Sequence, residues 1–295
     1  MDYLLIIIGL YIAMVIGAND SSNALGTALG AKIMKYEKLI LFFSIFVMLG
    51  TLNAFNVGHT MNSIVSGNIL YSYIIAGIII GIITYKKIPI STHQVIVCSL
   101  VGLNIHSANL GLFLKIVGSW IISPILSGIV AYTFYKMFSL LNISIIKRVS
   151  FIKYGVILSG GLIAYNLGAN DLPTVIGAIS TDIKIYILGG LFLIIGAYLF
   201  GKGVAETVGS KLIKLNPSGA FISQLSAGLS VLLFTQFGMP VSTTQSIIGG
   251  IVGVGLTKGI KTVNWKTLRN IVLGWVLAPS LSIVIGYILS ISGLL

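Results

Sequence analysis

A motif containing an aspartate occurs twice in this chain, as GAND at residues 17–20 and again at residues 168–171. Each copy puts a carboxylate into an otherwise apolar segment. Carboxylate and amide oxygens are the ligands that small hard cations prefer. The two copies therefore predict a cation site with the ligands Asn19, Asp20, Asn23, Asn170 and Asp171. Two alternatives stay open here: each aspartate could cap a helix, or could bond to a neighbouring helix.

A second motif also occurs twice, as PIST at residues 89–92 and PVST at residues 240–243, and an apolar stretch follows each copy. Proline suits the first turn of a helix, and serine or threonine beside it is a good N-cap. The free N–H groups and positive dipole end of a helix start bind anions without a basic side chain. The predicted oxyanion-binding residues are Ser91, Thr92, Gln94, Ser242, Thr243, Thr244 and Gln245. Ordinary capping at a loop is the alternative, and a substrate contact by His93 is left open.

The composition indicates that the chain lies in a lipid bilayer and not in water. Of its 295 residues, 56% are hydrophobic and 8% are charged, and the mean hydropathy is +1.05. A soluble domain carries about 25% charged residues, and apolar runs of about 17–25 residues are long enough to cross a bilayer. The sequence therefore predicts an all-α polytopic membrane protein. The net charge of +12 is interpreted as a signal of membrane orientation, with no nucleic-acid partner.

About ten membrane crossings are predicted. They lie near residues 3–31, 38–57, 69–85, 88–105, 110–135, 154–181, 185–201, 219–238, 240–257 and 270–293. If the N-terminus is outside, sixteen of the eighteen Lys and Arg residues fall on the inner side, and only Lys115 and Lys184 fall outside. This bias agrees with the positive-inside rule. It predicts a multi-pass protein of the cell membrane with both termini outside.

The two motifs repeat with one spacing. Asp171 follows Asp20 by 151 positions, and Ser242 follows Ser91 by the same 151 positions. Five crossings per half is an odd number, so the second half must enter the membrane upside down. Inverted repeats with discontinuous helices are typical of secondary transporters. The predicted organisation is a first repeat over residues 1–145, a basic cytoplasmic linker over residues 146–153 and a second repeat over residues 154–295.

The helix that carries each aspartate is expected to be interrupted at the motif. As one helix, residues 1–31 would be about 46 Å long at about 1.5 Å per residue, which exceeds the roughly 30 Å of hydrocarbon in a bilayer. The polar run at residues 19–23 favours caps and turns over helix interiors. A break would free backbone carbonyls to act as additional cation ligands.

Together, these motifs resemble the inorganic phosphate transporter (PiT) family over essentially the whole chain. NPSGAF at residues 216–221 and two Trp-x-x-x-Pro helices add to the likeness. The resemblance implies cation-coupled symport of inorganic phosphate by a homodimer in the lipid bilayer. It matches Asp20, Asp171, Ser91 and Ser242 to functional positions of the family, with Asp20 and Asp171 as the sodium ligands if Na⁺ is the coupling ion.

The chain departs from many relatives at several places. It reads STHQ and STTQ where they read STTH, and it has Gln224 where they have glutamate. Coupling to Na⁺ or to H⁺ therefore stays open, as does transport of sulfate or another tetrahedral oxyanion in place of phosphate. No cofactor other than the coupling cation is expected, and the protein is not expected to be an enzyme.

Two other classes of function are alternatives. A passive anion channel would leave the duplicated Asn-Asp pairs without a purpose. An intramembrane aspartyl protease would use one carboxyl as general acid and the other as general base, but the sequence lacks the GxGD signature of such proteases.

Overall fold

The computed structural model describes residues 3–30, 32–85, 90–140, 144–207 and 216–292, which are mostly helical and contain no strand. The predicted all-α class is confirmed. The α-helices of these residues are α1 (Tyr3–Gly30), α2 (Tyr36–Thr51), α3 (Phe55–Asn62), α4 (Ile69–Tyr85), α5 (Thr92–Leu103), α6 (Leu110–Leu140), α7 (Ile145–Asn166), α8 (Leu172–Ile179), α9 (Ile183–Thr207), α10 (Pro217–Gln236), α11 (Thr243–Thr257) and α12 (Trp265–Ile291). A π-helical turn, Leu167–Asp171, joins α7 to α8.

Helix α1 runs through the first aspartate motif without a break, so the interruption predicted there is wrong. The polar side chains of this stretch bond in ways that leave the helix intact. Ser22 donates its hydroxyl to the carbonyl of Asn19 at 2.8 Å, and Asn19 donates its amide to Thr84 on α4 at 3.1 Å. The helix of 28 residues is about 42 Å long at about 1.5 Å per residue. A helix longer than the hydrocarbon layer is accommodated by tilting.

The second motif does interrupt its helix, through the π turn. There the N–H of Leu172 donates to the carbonyl of Leu167, five residues back. Pro173 supplies the physical reason, because a proline has no N–H and its ring clashes with the carbonyl four residues earlier in an α-helix. The first half has Ser22 at the corresponding place. A single proline therefore explains why only one of the two predicted breaks is present.

The predicted basic linker at residues 146–153 is helical and lies in the first turns of α7. Arg148, within this stretch, packs its guanidinium over the ring of Phe138 at 5.0 Å from the centroid. The start of α7 thus packs against the end of α6.

Close packing through glycine joins α1 to α9. A Cβ on Gly17 would lie 1.9 Å from the carbonyl oxygen of Leu193, and a Cβ on Gly196 would lie 1.8 Å from that of Met14. Small residues allow helix backbones to approach this closely in membranes.

The contact between α2 and the α7–π region uses the same arrangement. A Cβ on Gly168 would lie 2.1 Å from the carbonyl oxygen of Val47, and a Cβ on Gly50 would lie 1.9 Å from that of Tyr165. Gly168 follows Gly17 by 151 positions and Tyr165 follows Met14 by the same 151 positions. The helices that carry the two aspartates are therefore packed in corresponding ways.

In the described part of the chain, five helices are long and apolar enough to cross a membrane, or six if α2 and α3, bent by 59°, count as one span. The five are Tyr3–Leu29, Leu110–Leu140, Ile183–Gly203, Pro217–Gln236 and Leu268–Ile291. Helices α4 and α5 are apolar but shorter. This agrees with a multi-pass protein, while the count of about ten crossings stays a prediction.

Gly196→Ala is expected to destabilise the fold. The added methyl group would overlap the backbone of α1, and overpacking of this kind costs about 1–3 kcal/mol. The apparent midpoint of thermal unfolding, measured on purified protein in detergent, should fall by several degrees. Gly118→Ala on α6 is the control, because a Cβ there has no atom within 4 Å. Equal midpoints for the two variants would contradict the packing described for α1 and α9.

Candidate functional site

Two helix starts form one side of the site. Ser91 is the N-cap of α5 and Ser242 is the N-cap of α11, each with an extended backbone. The predicted helix starts at the two Pro-x-Ser-Thr motifs are therefore confirmed, although Pro89 itself lies outside the described residues. The hydroxyl of Ser242 accepts a hydrogen bond from the N–H of Gln245 at 3.2 Å, whereas Ser91 makes no side-chain capping bond.

The two aspartates lie against these helix starts. Thr92, the first residue of α5, donates its hydroxyl to Asp20 Oδ2 at 2.9 Å. Thr243, the first residue of α11, donates its hydroxyl to Asp171 Oδ2 at 3.4 Å. Both carboxyl groups are buried, with exposed fractions of 2% for Asp20 and 0% for Asp171. Each aspartate is therefore held by the helix start that follows it by 71 or 72 positions in the sequence.

Further contacts join the two halves. Thr244 of α11 donates to Asp20 Oδ1 at 3.4 Å. His93 of α5 brings its Nε2 to 3.3 Å from Asp171 Oδ1. Each carboxyl group thus contacts both helix starts, and members of the predicted cation-binding and oxyanion-binding sets meet in one buried cluster.

Asn23 links this cluster to α1. Its amide nitrogen donates to the hydroxyls of Thr243 at 3.2 Å and Thr244 at 2.8 Å. Gln224 on α10 in turn donates to the backbone carbonyls of Asn23 at 3.1 Å and Ala24 at 2.9 Å. The sequence did not assign Gln224 to the site. The one feature of the sequence that pointed to Gln224 was that many relatives have a glutamate at this position.

The two asparagines of the aspartate motifs make matching contacts on neighbouring helices. Asn19 donates to Thr84 at 3.1 Å, and Asn170 donates to Thr235 at 2.8 Å. Thr235 follows Thr84 by the same 151 positions that separate the asparagines. Sequence reasoning missed both threonines, although a search for polar residues at this spacing would have found them.

Asn170 also holds the segment that leads into α11. Its amide donates to the carbonyl of Met239 at 2.9 Å, and its Oδ1 accepts the N–H of Val241 at 3.0 Å. Through these bonds the side-chain amide of Asn170 positions the start of α11. A role of Asn19, Asn23 or Asn170 as cation ligand stays a prediction.

Several polar atoms of the two helix starts are buried without a hydrogen-bond partner among the described residues. They include Ser91 Oγ, Gln94 Oε1 and Gln245 Oε1. An unsatisfied buried polar atom costs about 1–3 kcal/mol, so such atoms are rare outside sites that bind ligands or water. Here they belong to residues that the sequence assigned to anion binding.

Few ionisable side chains are buried at the site. In the described part of the chain, the buried acidic and basic side chains are Asp20, His93 and Asp171, and no Lys or Arg side chain is buried. An anion in this cluster would therefore meet hydroxyls, amides and helix N-termini, together with two carboxyl groups.

A model of the phosphate transporter family matches residues 16–149 and 144–286. Among similar proteins, a putative phosphate permease of Methanocaldococcus jannaschii is 50% identical over 97% of this chain and 95% of its own length. A protein of the same description from Pyrococcus furiosus is 25% identical over 96% of this chain and 94% of its own. A solved structure described as the sodium-dependent phosphate transporter has a TM-score of 0.84 at 24% identity, over 97% of both chains. This likeness shows the fold.

Asn170→Ala is expected to destabilise the start of α11. The change leaves the N–H of Val241 and the carbonyl of Met239 without their side-chain partner, and each unsatisfied buried group costs about 1–3 kcal/mol. The apparent unfolding midpoint in detergent should fall clearly. Asn53→Ala is the control, because the side-chain amide of Asn53 is exposed and donates to the nearby backbone carbonyl of Leu49 at 3.2 Å. Equal shifts for both variants would contradict the positioning role of Asn170.

Proposed function

Because the chain belongs to the phosphate transporter family, we propose that it is a secondary transporter that carries inorganic phosphate together with a cation, Na⁺ or H⁺. The family consists of phosphate transporters, so the protein is not an enzyme, in agreement with the sequence. Membership of the family also sets aside the aspartyl protease. The family and the apolar helices together identify a multi-pass membrane protein.

One observation carries the proposal: two buried carboxyl groups contact the same helix starts that would hold the anion. Phosphate at Ser91 and Ser242 would lie beside Asp20 and Asp171 in an apolar interior, where unit charges interact far more strongly than in water. A cation between them offsets this repulsion. Binding of anion and cation would therefore favour each other, which is the physical requirement for symport. A passive channel has no such requirement.

The roles of the residues follow from their chemistry. We assign the phosphate to hydroxyls, amides and N–H groups at the two helix starts, contributed by Ser91, Thr92, Gln94, Ser242, Thr243, Thr244 and Gln245. The cation is assigned to Asp20 and Asp171, with Asn19, Asn23 and Asn170 around them. Sulfate offers the same tetrahedral set of acceptors, and it is the alternative substrate that a competition assay distinguishes.

The topology belongs to the same proposal. About ten crossings in two inverted repeats, with both termini outside, would bring the two motif pairs to the middle of the membrane from opposite sides. The equal spacing of the contacts Asn19–Thr84 and Asn170–Thr235 supports the repeat. Assembly as a homodimer is proposed from the family resemblance.

Uptake of labelled phosphate into proteoliposomes is expected to require an inward gradient of Na⁺ or H⁺. The reason is the charge of the two buried aspartates beside the anion. Each gradient is imposed separately, and unlabelled sulfate is added as a competitor. Competition by sulfate at concentrations equal to phosphate would shift the substrate assignment towards oxyanions in general. Saturable flux that is indifferent to both gradients would overturn coupling.

Ser91→Ala and Ser242→Ala are each expected to weaken phosphate binding about ten- to hundred-fold, since a hydrogen bond to a charged group contributes roughly 1.5–3 kcal/mol. Backbone N–H donors remain, so the loss should be partial. Binding is measured on purified variants, with Ser139→Ala as the control because that serine is exposed and donates to the backbone carbonyl of Lys136 on its own helix. If neither serine changes affinity beyond a factor of about two, the helix starts do not hold the anion.

A further inference from the structure

We propose that a cavity between the end of α1 and the starts of α7 and α10 binds the phosphate headgroup of an anionic phospholipid. Its lining includes Lys32, Arg148, Lys153 and Ser218, and it includes neither aspartate of the cluster described above. The inference concerns a second site and goes beyond the proposed transport function, so it does not depend on that function.

Three basic side chains line this cavity, which has a volume of about 690 Å³. Lys32 follows the end of α1, and Arg148 and Lys153 lie in the first three turns of α7. The guanidinium of Arg148 packs over the ring of Phe138 at 5.0 Å from its centroid, a contact that orients the group and leaves its charge. Within the described part of the chain, none of the three pairs with a carboxylate. A bound anion would compensate these charges.

Helix α10 begins at the same cavity and leaves two hydrogen-bond donors free there. Its first residue, Pro217, has no N–H. The N–H groups of Gly219 and Ala220 donate to Oδ1 and to the carbonyl of Asn216, each at 3.0 Å. The N–H and the hydroxyl of Ser218 bond to none of the described residues, although this residue is only 7% exposed. Buried donors without a partner are rare outside sites that bind ligands or water, and a helix start attracts anions.

Lys32 has a backbone conformation that favours glycine. Its φ of 53° lies in the left-handed region, and no other non-glycine residue described here has a positive φ. The Cβ of an L-residue is crowded in this region, whereas glycine has no Cβ. A lysine therefore stabilises the fold less here than a glycine would. What the position gains is an ammonium group at the cavity.

The position and the walls of the cavity favour a lipid over a free anion. Tyr3–Leu29 and Pro217–Gln236 are long and apolar enough to cross a membrane, so a cavity at their ends lies at the level of the lipid headgroups. Ile33, Val149 and Ile152 add apolar walls beside the cations. Sites for drug-sized ligands have volumes of about 300–1,000 Å³, so this cavity is larger than inorganic phosphate needs. Clusters of Lys and Arg beside membrane helices attract anionic lipids.

Binding of labelled phosphatidylglycerol is measured on purified protein in an uncharged detergent. The competitors are unlabelled phosphatidylglycerol, phosphatidylcholine and inorganic phosphate. Phosphatidylglycerol should displace the label at concentrations about ten-fold lower than phosphatidylcholine, because only its headgroup carries a net negative charge. Inorganic phosphate has no acyl chains and should compete poorly. Phosphatidylglycerol should also raise the apparent unfolding midpoint, since it would tie the end of α1 to the starts of α7 and α10.

Single substitutions in the cavity test which groups hold the lipid. Arg148→Gln and Lys153→Gln should each weaken phosphatidylglycerol binding about five-fold, and Ser218→Ala about ten-fold. Lys115→Gln is the matched control, because Lys115 is an exposed lysine of α6 outside the cavity. Its removal should leave the affinity within a factor of about two.

Lys32→Gly separates binding from stability. Without lipid, this variant should unfold at a higher midpoint than the natural protein, because glycine relieves the strained φ. Its affinity for phosphatidylglycerol should nevertheless fall about five-fold. A purely structural role of Lys32 predicts the opposite pair of results, a lower midpoint and an unchanged affinity.

The inference is wrong if phosphatidylcholine competes as well as phosphatidylglycerol, because the charge of the headgroup is then not recognised. It is also wrong if Lys115→Gln weakens binding as much as the cavity variants do, since the effect would then come from the overall charge of the protein. Displacement of the label by inorganic phosphate at concentrations equal to those of phosphatidylglycerol would identify a free anion as the occupant and overturn the lipid assignment.

Discussion

Two carboxyl groups in an apolar interior are the constraint on which the rest of this structure depends. A buried charge without partners is among the most costly features a protein can have. Here the cost is offset by placing the starts of two helices against the carboxyl groups, so that Thr92 and Thr243 donate hydrogen bonds and the positive ends of the helix dipoles face the carboxyl groups. The start of α5 and the start of α11 are therefore held against the carboxyl groups by these contacts.

Much of the surrounding architecture serves that placement. Asn170 fixes the backbone just before α11 through Met239 and Val241, and Gln224 holds α1 at Asn23 and Ala24. Glycines at the crossings of α1 with α9 and of α2 with the π turn let the helices that carry the aspartates approach their neighbours closely. Packing and polar contacts thus act on the same helices. A change in either would alter the positions of the carboxyl groups.

The sequence predicted the parts of this site that depend on residue type and spacing. Polar residues in apolar segments, proline beside serine, and the spacing of 151 located the aspartates and both helix starts. It could not predict contacts that depend on three-dimensional neighbours, such as Asn23 with Thr244 or Gln224 with α1. The break expected at Asp20 was wrong because local propensity does not include the hydrogen bonds that Asn19 and Ser22 make in the folded protein. Pro173, visible in the sequence, was the residue that separated the two cases.

The π turn at the second aspartate changes the helical phase of the residues after it. An α-helix turns about 100° per residue, and the wider π turn falls behind that rate, so residues after Asp171 face a different direction from their counterparts after Asp20. Asn23, just past the first aspartate, therefore reaches Thr243 and Thr244. Its counterpart Thr174 turns back to the carbonyl of Asn170 at 2.9 Å. Where α1 presents an amide to the cluster, α8 thus carries a hydroxyl that is bonded to its own backbone.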